Sequence, residues 1–357
     1  MEIYVILVGT MIVLYFVMQN KKNGRDNFVR IIMLILYFVS SFRANIIGSD
    51  YQSYINIFNW VRQGGFSVGY EKGYVLLNML ANILSEHYVV LAMLVNMLIF
   101  ISVYYYISTF VEDRYKCLVV FIFFLNPYLY VQSTFNIMRQ GCATAVLLFA
   151  MHYLYKRQWI GFIVLVLIAA QFHKFSYIFL LMIIFRVIKW KGFYFIILST
   201  ISLIMNFVLD SDSLFSRIAA ALGYSGYIGF GNSIFDFKLY AVFIYITVFF
   251  FILYYGSLYA NEKEKFFTDL YLLSLSVLPV LLKNDVAYRI YITLVFMSIP
   301  AVSFICKGFN SEKKRKQYII LRLAYFAYYF VFFGAFFLKM LYIQDFHYVP
   351  FKFFWQV

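Results

Sequence analysis

Long apolar runs follow one another along almost the whole chain, and polar residues collect in short stretches between them. Residues 117–130 and 239–255 are nearly continuous examples. A helix needs ~20 apolar residues to cross a bilayer, whereas a barrel strand alternates over ~10. The pattern therefore predicts an all-α, polytopic integral membrane protein with about 12 spans. We place them near 2–19, 30–47, 88–110, 116–133, 137–155, 158–172, 175–188, 193–209, 238–258, 267–283, 286–306 and 319–341.

Composition supports a membrane protein and excludes some functions. Charged residues make up 13% of the chain, about half the share in a soluble domain. The chain has a net charge of +14, but its basic residues form no long soluble segment, so we expect no nucleic-acid partner. We expect the basic residues to lie in cytoplasmic loops, near anionic membrane lipid. The first run lacks the features of a signal peptide and is expected to remain a span. No metal or cofactor is expected, because ligand spacings are absent from the sequence, and the cysteines are interpreted as small core residues: Cys117, Cys142 and Cys306.

The stretch 70–88 decides the predicted topology, because its apolar part is too short to span comfortably. Cytoplasmic loops usually carry the excess of Lys and Arg. If 70–88 does not cross, 19 of the 30 basic residues lie inside, including the cluster 313–316. If 70–88 crosses, that cluster lies outside. The charge bias therefore predicts that 50–87 forms an external layer of one or two helices on the membrane surface.

We expect a single transmembrane domain, 1–357, with a catalytic layer at its outer face. Charged groups at membrane depth are costly and are functional hypotheses by default. The layer is predicted to comprise 43–87, 135–143, 172–176, 210–237 and 283–291. The ionisable residues that we single out at this face come from separate places in the sequence: Arg43, Asp50, Arg62, Glu71, Lys72, Arg139, His173, Lys174, Lys283, Asp285 and Arg289.

Three of these residues have a structural and a functional interpretation. Asp50 could cap a helix, since Asp is favoured there, or supply a carboxylate beside Arg43. Arg139 could snorkel, but its planar fork suits bidentate phosphate recognition, and Gly141 after it would allow a close backbone approach. His173 could be structural or could transfer protons near neutral pH. The group at 283–289 is either a self-neutralising loop or a diphosphate site.

Five motifs then occur in order: RxNxxGSDYxxY (43–54), YEKGYxxLN (70–78), FNxMRQGxA (135–143), FHKFS (172–176) and YRIY (288–291). Together they resemble the EpsG-type, Wzy-like family of O-antigen and exopolysaccharide polymerases. The family more often has Pro where this chain has Lys72, and a branched residue where it has Met138. The segment 70–88 is also similar to the external surface helices of GT-C glycosyltransferases. The matching positions are Arg43, Gly48, Asp50, Tyr54, Glu71, Arg139, Gln140 and His173.

The resemblance implies an O-antigen or capsular polysaccharide polymerase that joins undecaprenyl-diphosphate-linked repeat units at the periplasmic face of the bacterial inner membrane. Donor and acceptor would both be lipid-linked oligosaccharides, and a chain-length regulator is a plausible partner. Such chemistry needs a base for the acceptor hydroxyl and cations for the leaving diphosphate. Asp50 is our first candidate for the base, with His173 and Glu71 as rivals. The candidates for diphosphate binding are Arg43, Arg139, Lys283 and Arg289, and Gln140 is a further candidate for substrate binding. The candidates for stacking on the sugars are Tyr51, Tyr54 and Tyr70, with aromatic residues of the loop 210–237.

Other membrane functions remain open from sequence. A flippase or exporter of lipid-linked sugars would need charges deep in its spans and often a repeat, neither of which the sequence indicates. An outer-face O-antigen ligase would need the same arginine and carboxylate groups, so the sequence separates it poorly from a polymerase. A membrane acyltransferase is less consistent with the external position predicted for His173. A purely structural role would not need so many outer-face charges.

Overall fold

A computed structural model describes residues 2–65, 69–126, 128–208, 237–253, 255–282, 285–303, 319 and 348–357 of the protein. Within these ranges the regular elements are helices, which confirms the all-α prediction. The chain divides into two compact units. The first unit comprises Met1–Leu180 and Phe333–Val357, and the second comprises Leu181–Phe332.

The first unit is organised around helix α7 (Met138–Tyr155), most of whose side chains are buried. It packs against α5 (Tyr88–Phe110) and α8 (Trp159–Ala170), and α5 also packs against α2 (Gly24–Ser41). A Cβ on Gly141 would lie 2.5 Å from the Ser133 carbonyl oxygen, so the predicted close backbone approach is confirmed. The other described helices of this unit are α1 (Glu2–Met18), α3 (Tyr51–Arg62), α4 (Lys72–Leu84), α6 (Lys116–Leu125), a π-helix (Tyr128–Asn136) and three 3-10 helices (Asp113–Tyr115, Lys174–Leu181 and Phe354–Gln356).

Several predicted spans are divided or shortened. The run 116–133 is split into α6 and the π-helix, which meet at a bend of 51°. Pro127 follows Asn126 in the sequence, and a residue before proline disfavours helical angles; Asn126 is extended, with φ −80° and ψ 108°. The predicted span 30–47 ends early because α2 stops at Ser41. Beyond it, Ala44 N donates to the Lys352 carbonyl, so the backbone pairs with the C-terminal segment instead.

One helix in the described part of the chain is long and apolar enough to cross a membrane. It is α5, with 23 residues and a mean hydropathy of 2.1. The bent pair of α6 and the π-helix would be a second if it is one span. Shorter apolar helices include α1 and α8. The stretch 70–88 contains the 13-residue α4, which ends before α5 begins. The predicted number of spans and the surface position of α4 stay predictions.

The second unit contains α9 (Met182–Val187), α10 (Gly192–Val208), α11 (Phe237–Leu253), α12 (Glu262–Leu281) and α13 (Asp285–Ser298). Helix α12 packs against α10, α11 and α13. It begins with a reciprocal cap, in which Asn261 Oδ1 accepts from Glu264 N at 2.9 Å. Glu264 Oε2 in turn accepts from Ala260 N at 2.7 Å, so two donors at the helix start are satisfied.

Some sequence-based interpretations fall outside the described residues. They include the loop 210–237 except its last residue, Lys283, Cys306, and all of the predicted span 319–341 except Ile319. The other two cysteines, Cys117 and Cys142, are buried free thiols in the first unit. That position agrees with their interpretation as small core residues.

Candidate functional site

An ion pair between Glu71 and Arg139 lies at the centre of the candidate site. Arg139 Nη1 and Glu71 Oε2 are 2.8 Å apart, and the two side chains are 15% and 2% exposed. Glu71 Oε1 also accepts a hydrogen bond from Lys174 N at 3.4 Å. Charge-assisted bonds of this kind are stronger than neutral ones, particularly where water is excluded. One carboxylate therefore joins three of the predicted motifs, 70–78, 135–143 and 172–176.

The start of α4 is tied to the His173 turn by its backbone. Gly73 N donates to the Gln171 carbonyl at 2.8 Å, and Tyr74 N lies 3.3 Å from the same oxygen. A Cβ on Gly73 would lie 2.8 Å from that carbonyl, so the contact requires glycine. His173 is 2% exposed, and its ring stacks on Phe175 with centroids 5.8 Å apart.

The Gly48 turn, which leads into Asp50, is held against the π-helix. Ser49 N donates to Asn136 Oδ1 at 2.8 Å. Gly48 has a φ of +106°, and a Cβ there would lie 2.6 Å from Asn136 Oδ1 and 2.8 Å from the Phe135 carbonyl oxygen. This turn therefore needs glycine both for its backbone angle and for its close approach.

Asp50 lies at the N-cap position of α3, but its side chain makes no capping hydrogen bond to that helix. Capping was the local explanation for an aspartate at this place. The carboxylate is half-buried, and Ser49 Oγ donates to Asp50 Oδ1 at 3.4 Å. The capping role is thus not seen in the structure, and the functional role of Asp50 stays a prediction.

Asn136 connects the Gly48 turn with the C-terminal segment, a connection that the sequence analysis missed. Its Nδ2 donates to Gln132 Oε1 at 3.1 Å and also to the Tyr348 hydroxyl. Tyr348 donates in turn to Gln132 Oε1 at 2.8 Å. Burial raises the pKa of the Tyr348 phenol well above its usual value, so the hydroxyl stays protonated and can donate. The signal available in the sequence was the asparagine of the FNxMRQGxA motif.

Arg43 is buried in the first unit, with its guanidinium directed at backbone oxygens. Nη1 donates to the Ser40 carbonyl at 2.6 Å, and Nη2 donates to the Phe135 carbonyl at 3.3 Å. The guanidinium carbon also lies 5.0 Å from the centroid of the Phe135 ring. Its contacts fasten the end of α2 to the π-helix, and its part in diphosphate binding stays a prediction.

The tyrosines predicted to stack on sugars differ in how far they are exposed. Tyr54 is buried and meets the Tyr74 ring edge-on at 5.9 Å, whereas Tyr51 is half-buried. Burial raises the pKa of the Tyr74 phenol well above its usual value. Tyr70 is 38% exposed, and the Arg139 guanidinium carbon lies 5.7 Å from its ring centroid.

The first unit thus brings together residues from four of the five motifs. Gln140 is buried in α7, next to Arg139 in the sequence. Arg289, from the fifth motif, belongs to the second unit, where it lies in α13. Asp285 begins the same helix, and Lys283 is outside the described residues.

Comparison with known proteins gives a family for the chain. A sequence model described as the EpsG family matches residues 26–353, nearly the whole chain. No curated protein and no solved structure matches the chain. The match contains all five motifs, the whole second unit and most of the first, and it confirms the resemblance to the EpsG family found from the residues alone. The chain therefore belongs to the EpsG family.

Proposed function

We propose that the protein is a membrane glycosyltransferase that polymerises O-antigen or capsular polysaccharide from undecaprenyl-diphosphate-linked repeat units. Membership of the EpsG family implies the coarser function, a polysaccharide polymerase of glycosyltransferase type. The donor and the acceptor in our proposal are both lipid-linked oligosaccharides. The reaction would take place at the periplasmic face of the bacterial inner membrane.

The observation that carries this proposal is the buried Glu71–Arg139 pair with the backbone of Lys174 bound to the same carboxylate. Removing two charges from water is expensive, and a buried pair contributes little net stability in return. A protein that keeps such a pair, with a half-buried Asp50 in the same unit, has the groups that the reaction requires. These are a cation for a phosphate and a carboxylate for a proton.

In the proposed reaction, a hydroxyl oxygen of the acceptor sugar attacks the anomeric carbon of the donor glycan. The bond from that carbon to the diphosphate oxygen breaks, and undecaprenyl diphosphate leaves with the bonding electrons. The hydroxyl proton passes to the Asp50 carboxylate. Arg139 offsets the charge that develops on the leaving diphosphate. A guanidinium carries five N–H donors in a planar fork, so one group is able to serve a carboxylate and a phosphate together.

Asp50 is the preferred base because its rivals are placed differently. Both carboxylate oxygens of Glu71 accept hydrogen bonds, from Arg139 and from Lys174 N. His173 is 2% exposed, with its ring stacked on Phe175. Asp50 is half-buried in the Gly48 turn. We assign Glu71 to orienting Arg139, and His173 to holding the turn against α4.

Topology is part of the proposal. About 12 spans with 19 of the 30 basic residues inside would place the motifs outside. The long apolar α5 and the exposed apolar side chains on other helices support several spans; Ile160 of α8, for example, is 81% exposed. A chain-length regulator is the proposed protein partner, and anionic lipid is expected at the basic cytoplasmic loops.

The test is to delete the gene in its host and to examine the surface polysaccharide on a gel. The deletion strain would be complemented with wild type, Asp50→Asn, Arg139→Ala, His173→Ala and the control Arg186→Ala. We expect the deletion strain to lose the ladder and keep a band of core plus one repeat. Asp50→Asn and Arg139→Ala should fail to restore the ladder, and Arg186→Ala should restore it. Loss of all repeat-bearing bands would favour a ligase or flippase, and an unchanged ladder would reject the polymerase.

A further inference from the structure

Helix α3 exposes a stripe of uncharged amides that the proposed chemistry does not use. From Gln52 onward the four amide residues of the stripe are separated by four, three and four positions, and this spacing places them on one face of a helix. All of them are exposed, and Gln52 Nε2 donates to Asn56 Oδ1 at 2.9 Å. An amide offers both donors and acceptors, as sugar hydroxyls do. The stripe comprises Gln52, Asn56 and Asn59 of α3 and Gln63, the residue that follows the helix.

Two aromatic residues continue this stripe towards the Glu71–Arg139 pair. Trp60 is half-buried, and its ring lies 6.0 Å from that of Tyr70. The Tyr70 ring in turn lies under the Arg139 guanidinium. A Cβ on Gly65 would come within 2.3 to 2.5 Å of three indole atoms of Trp60, so backbone is packed closely against that ring. The indole is therefore held in place before any ligand arrives.

The neighbouring helix α4 has an outward face of the opposite character. Its exposed side chains form an apolar stripe: Leu76, Leu80, Ile83 and Leu84, which are 63%, 46%, 80% and 60% exposed. Helix α3 is described throughout, and none of its large apolar side chains is exposed. An apolar stripe suits a lipid surface, whereas an amide stripe suits an aqueous one. The two helices pack together, so lipid and water would be met on different sides of the same pair.

We propose that the amide stripe of α3, with Trp60 and Tyr70, binds the glycan of the lipid-linked substrate. We name this surface, composed of Gln52, Asn56, Asn59, Trp60, Gln63 and Tyr70, the glycan face. The apolar C–H side of a pyranose ring stacks on the aromatic rings, and the hydroxyls bind the amides. Sugars laid along α3 lead to Arg139, where the diphosphate is bound. The inference rests on the proposed function and adds the surface on which the glycan is bound.

Trp60 could belong to a sugar-binding site, as proposed, or it could anchor the protein in the membrane surface. Trp and Tyr are also frequent as anchors in the headgroup region of membranes. An anchor would contact lipid and be insensitive to added sugar. A sugar site would contact the glycan and be shielded from lipid. Fluorescence from Trp60 alone separates these two situations.

For the test, Trp159, Trp190 and Trp355 are replaced by Phe in the full chain, so that emission comes from Trp60. The protein is reconstituted in vesicles, and the host's repeat-unit oligosaccharide, freed from its lipid, is titrated. We expect a saturable change in emission, and little quenching by lipids brominated on their acyl chains. Quenching by brominated lipid without any response to the oligosaccharide would overturn the inference in favour of a membrane anchor.

Kinetics provide the second readout, using Trp60→Ala and the double variant Asn56→Ala with Asn59→Ala. Alanine has a higher helix propensity than asparagine, so the double variant keeps α3 intact. We expect KM for the lipid-linked substrate to rise at least tenfold with kcat within twofold, whereas Trp159→Phe leaves both unchanged. An active enzyme whose KM is unchanged in both variants would refute the glycan face and leave the polymerase standing. A wild type that binds the oligosaccharide and forms no polymer would refute the polymerase and leave the glycan face.

Discussion

Two arginine–glutamate pairs, one in each unit, have the same length and different surroundings. Arg139 and Glu71 in the first unit, and Arg186 and Glu262 in the second, both have N–O distances of 2.8 Å. Each guanidinium also lies over an aromatic ring, at 5.7 Å for Arg139 and 5.2 Å for Arg186. The carboxylates differ, since Glu71 is 2% exposed and Glu262 is 67% exposed.

This difference indicates why one pair is a functional candidate and the other is not. The two arginine side chains are similarly buried, at 15% exposed for Arg139 and 10% for Arg186, so the pairs differ in the carboxylate. A carboxylate that keeps most of its water gains little from an ion pair, about 0 to 1 kcal/mol. Glu262 also lies in the first turn of α12, where a negative charge is favoured locally. A buried carboxylate has lost its water and depends on its partners. The second pair is therefore a matched control for experiments on the first.

The largest expected effect is on stability, when Glu71 is removed and Arg139 is left buried. Glu71→Ala should destabilise the protein by about 3 to 5 kcal/mol, because an uncompensated charge remains in the core. Glu262→Ala should cost less, about 1 to 2 kcal/mol, because the carboxylate that it removes is 67% exposed, although the Arg186 side chain that loses this contact is only 10% exposed. Thermal unfolding in detergent measures both. Equal losses of stability in the two variants would contradict the role assigned to burial.

The next effect is on catalysis, in variants that keep the positive charge. Arg139→Lys should reduce polymerisation by about 10² to 10³-fold, since lysine lacks the planar fork that binds carboxylate and phosphate together. Protein level should stay at that of wild type. Arg186→Lys should polymerise at the wild-type rate. Full activity in Arg139→Lys, measured by incorporation of labelled repeat units, would remove Arg139 from the diphosphate site.

A third prediction extends the comparison to the turn beside Asp50. Gly48→Ala should cost about 2 to 4 kcal/mol, because the methyl group meets Asn136 Oδ1 and because φ is positive. Gly64 also has a positive φ of 82°, but a Cβ there has nothing within 4 Å. Gly64→Ala should therefore cost only the backbone strain, about 1 to 2 kcal/mol. Equal unfolding temperatures in the two variants would mean that the contact with Asn136 is unimportant.

The smallest expected effect comes from exchanging the two charges of the buried pair. Glu71→Arg combined with Arg139→Glu should be more stable than the sum of the single changes by about 0.5 to 3 kcal/mol. Polymerisation should stay absent, because the cation would no longer lie at the start of α7. A double-mutant cycle of unfolding free energies measures the coupling. No coupling would show that the 2.8 Å contact contributes nothing to folding.

The sequence was sufficient to identify the family, and it singled out Glu71 and Arg139, which the structure pairs. Charges such as Glu71 and Arg139 are conspicuous in an apolar chain, because burying them requires a reason. Their order along the chain carried the resemblance that the family match confirms. The pairing of Glu71 with Arg139 was not predicted, because the two residues are 68 positions apart. The predicted spans also gave no information on the direction in which each side chain points.

The neutral parts of the site were not predictable in the same way. Asn136 and Tyr348 are separated by 212 positions, and neither residue type is unusual in a membrane protein. Their contact depends on how the C-terminal segment pairs with residues 42–44. The same pairing occupies backbone groups just beyond Ser41, where α2 ends inside the predicted span 30–47. Long-range backbone pairing of this kind leaves no periodic signal in the sequence.

The most direct test of the account is a reconstituted reaction with a single substitution. Wild type and Asp50→Asn would be placed in liposomes with lipid-linked repeat units, and products would be analysed by mass spectrometry. We predict that wild type forms glycans of several repeats and releases one undecaprenyl diphosphate for each bond formed, and that Asp50→Asn is slower by about 10² to 10⁴-fold. Lengthening at the wild-type rate in Asp50→Asn, or translocation of repeat units without lengthening by wild type, would contradict it.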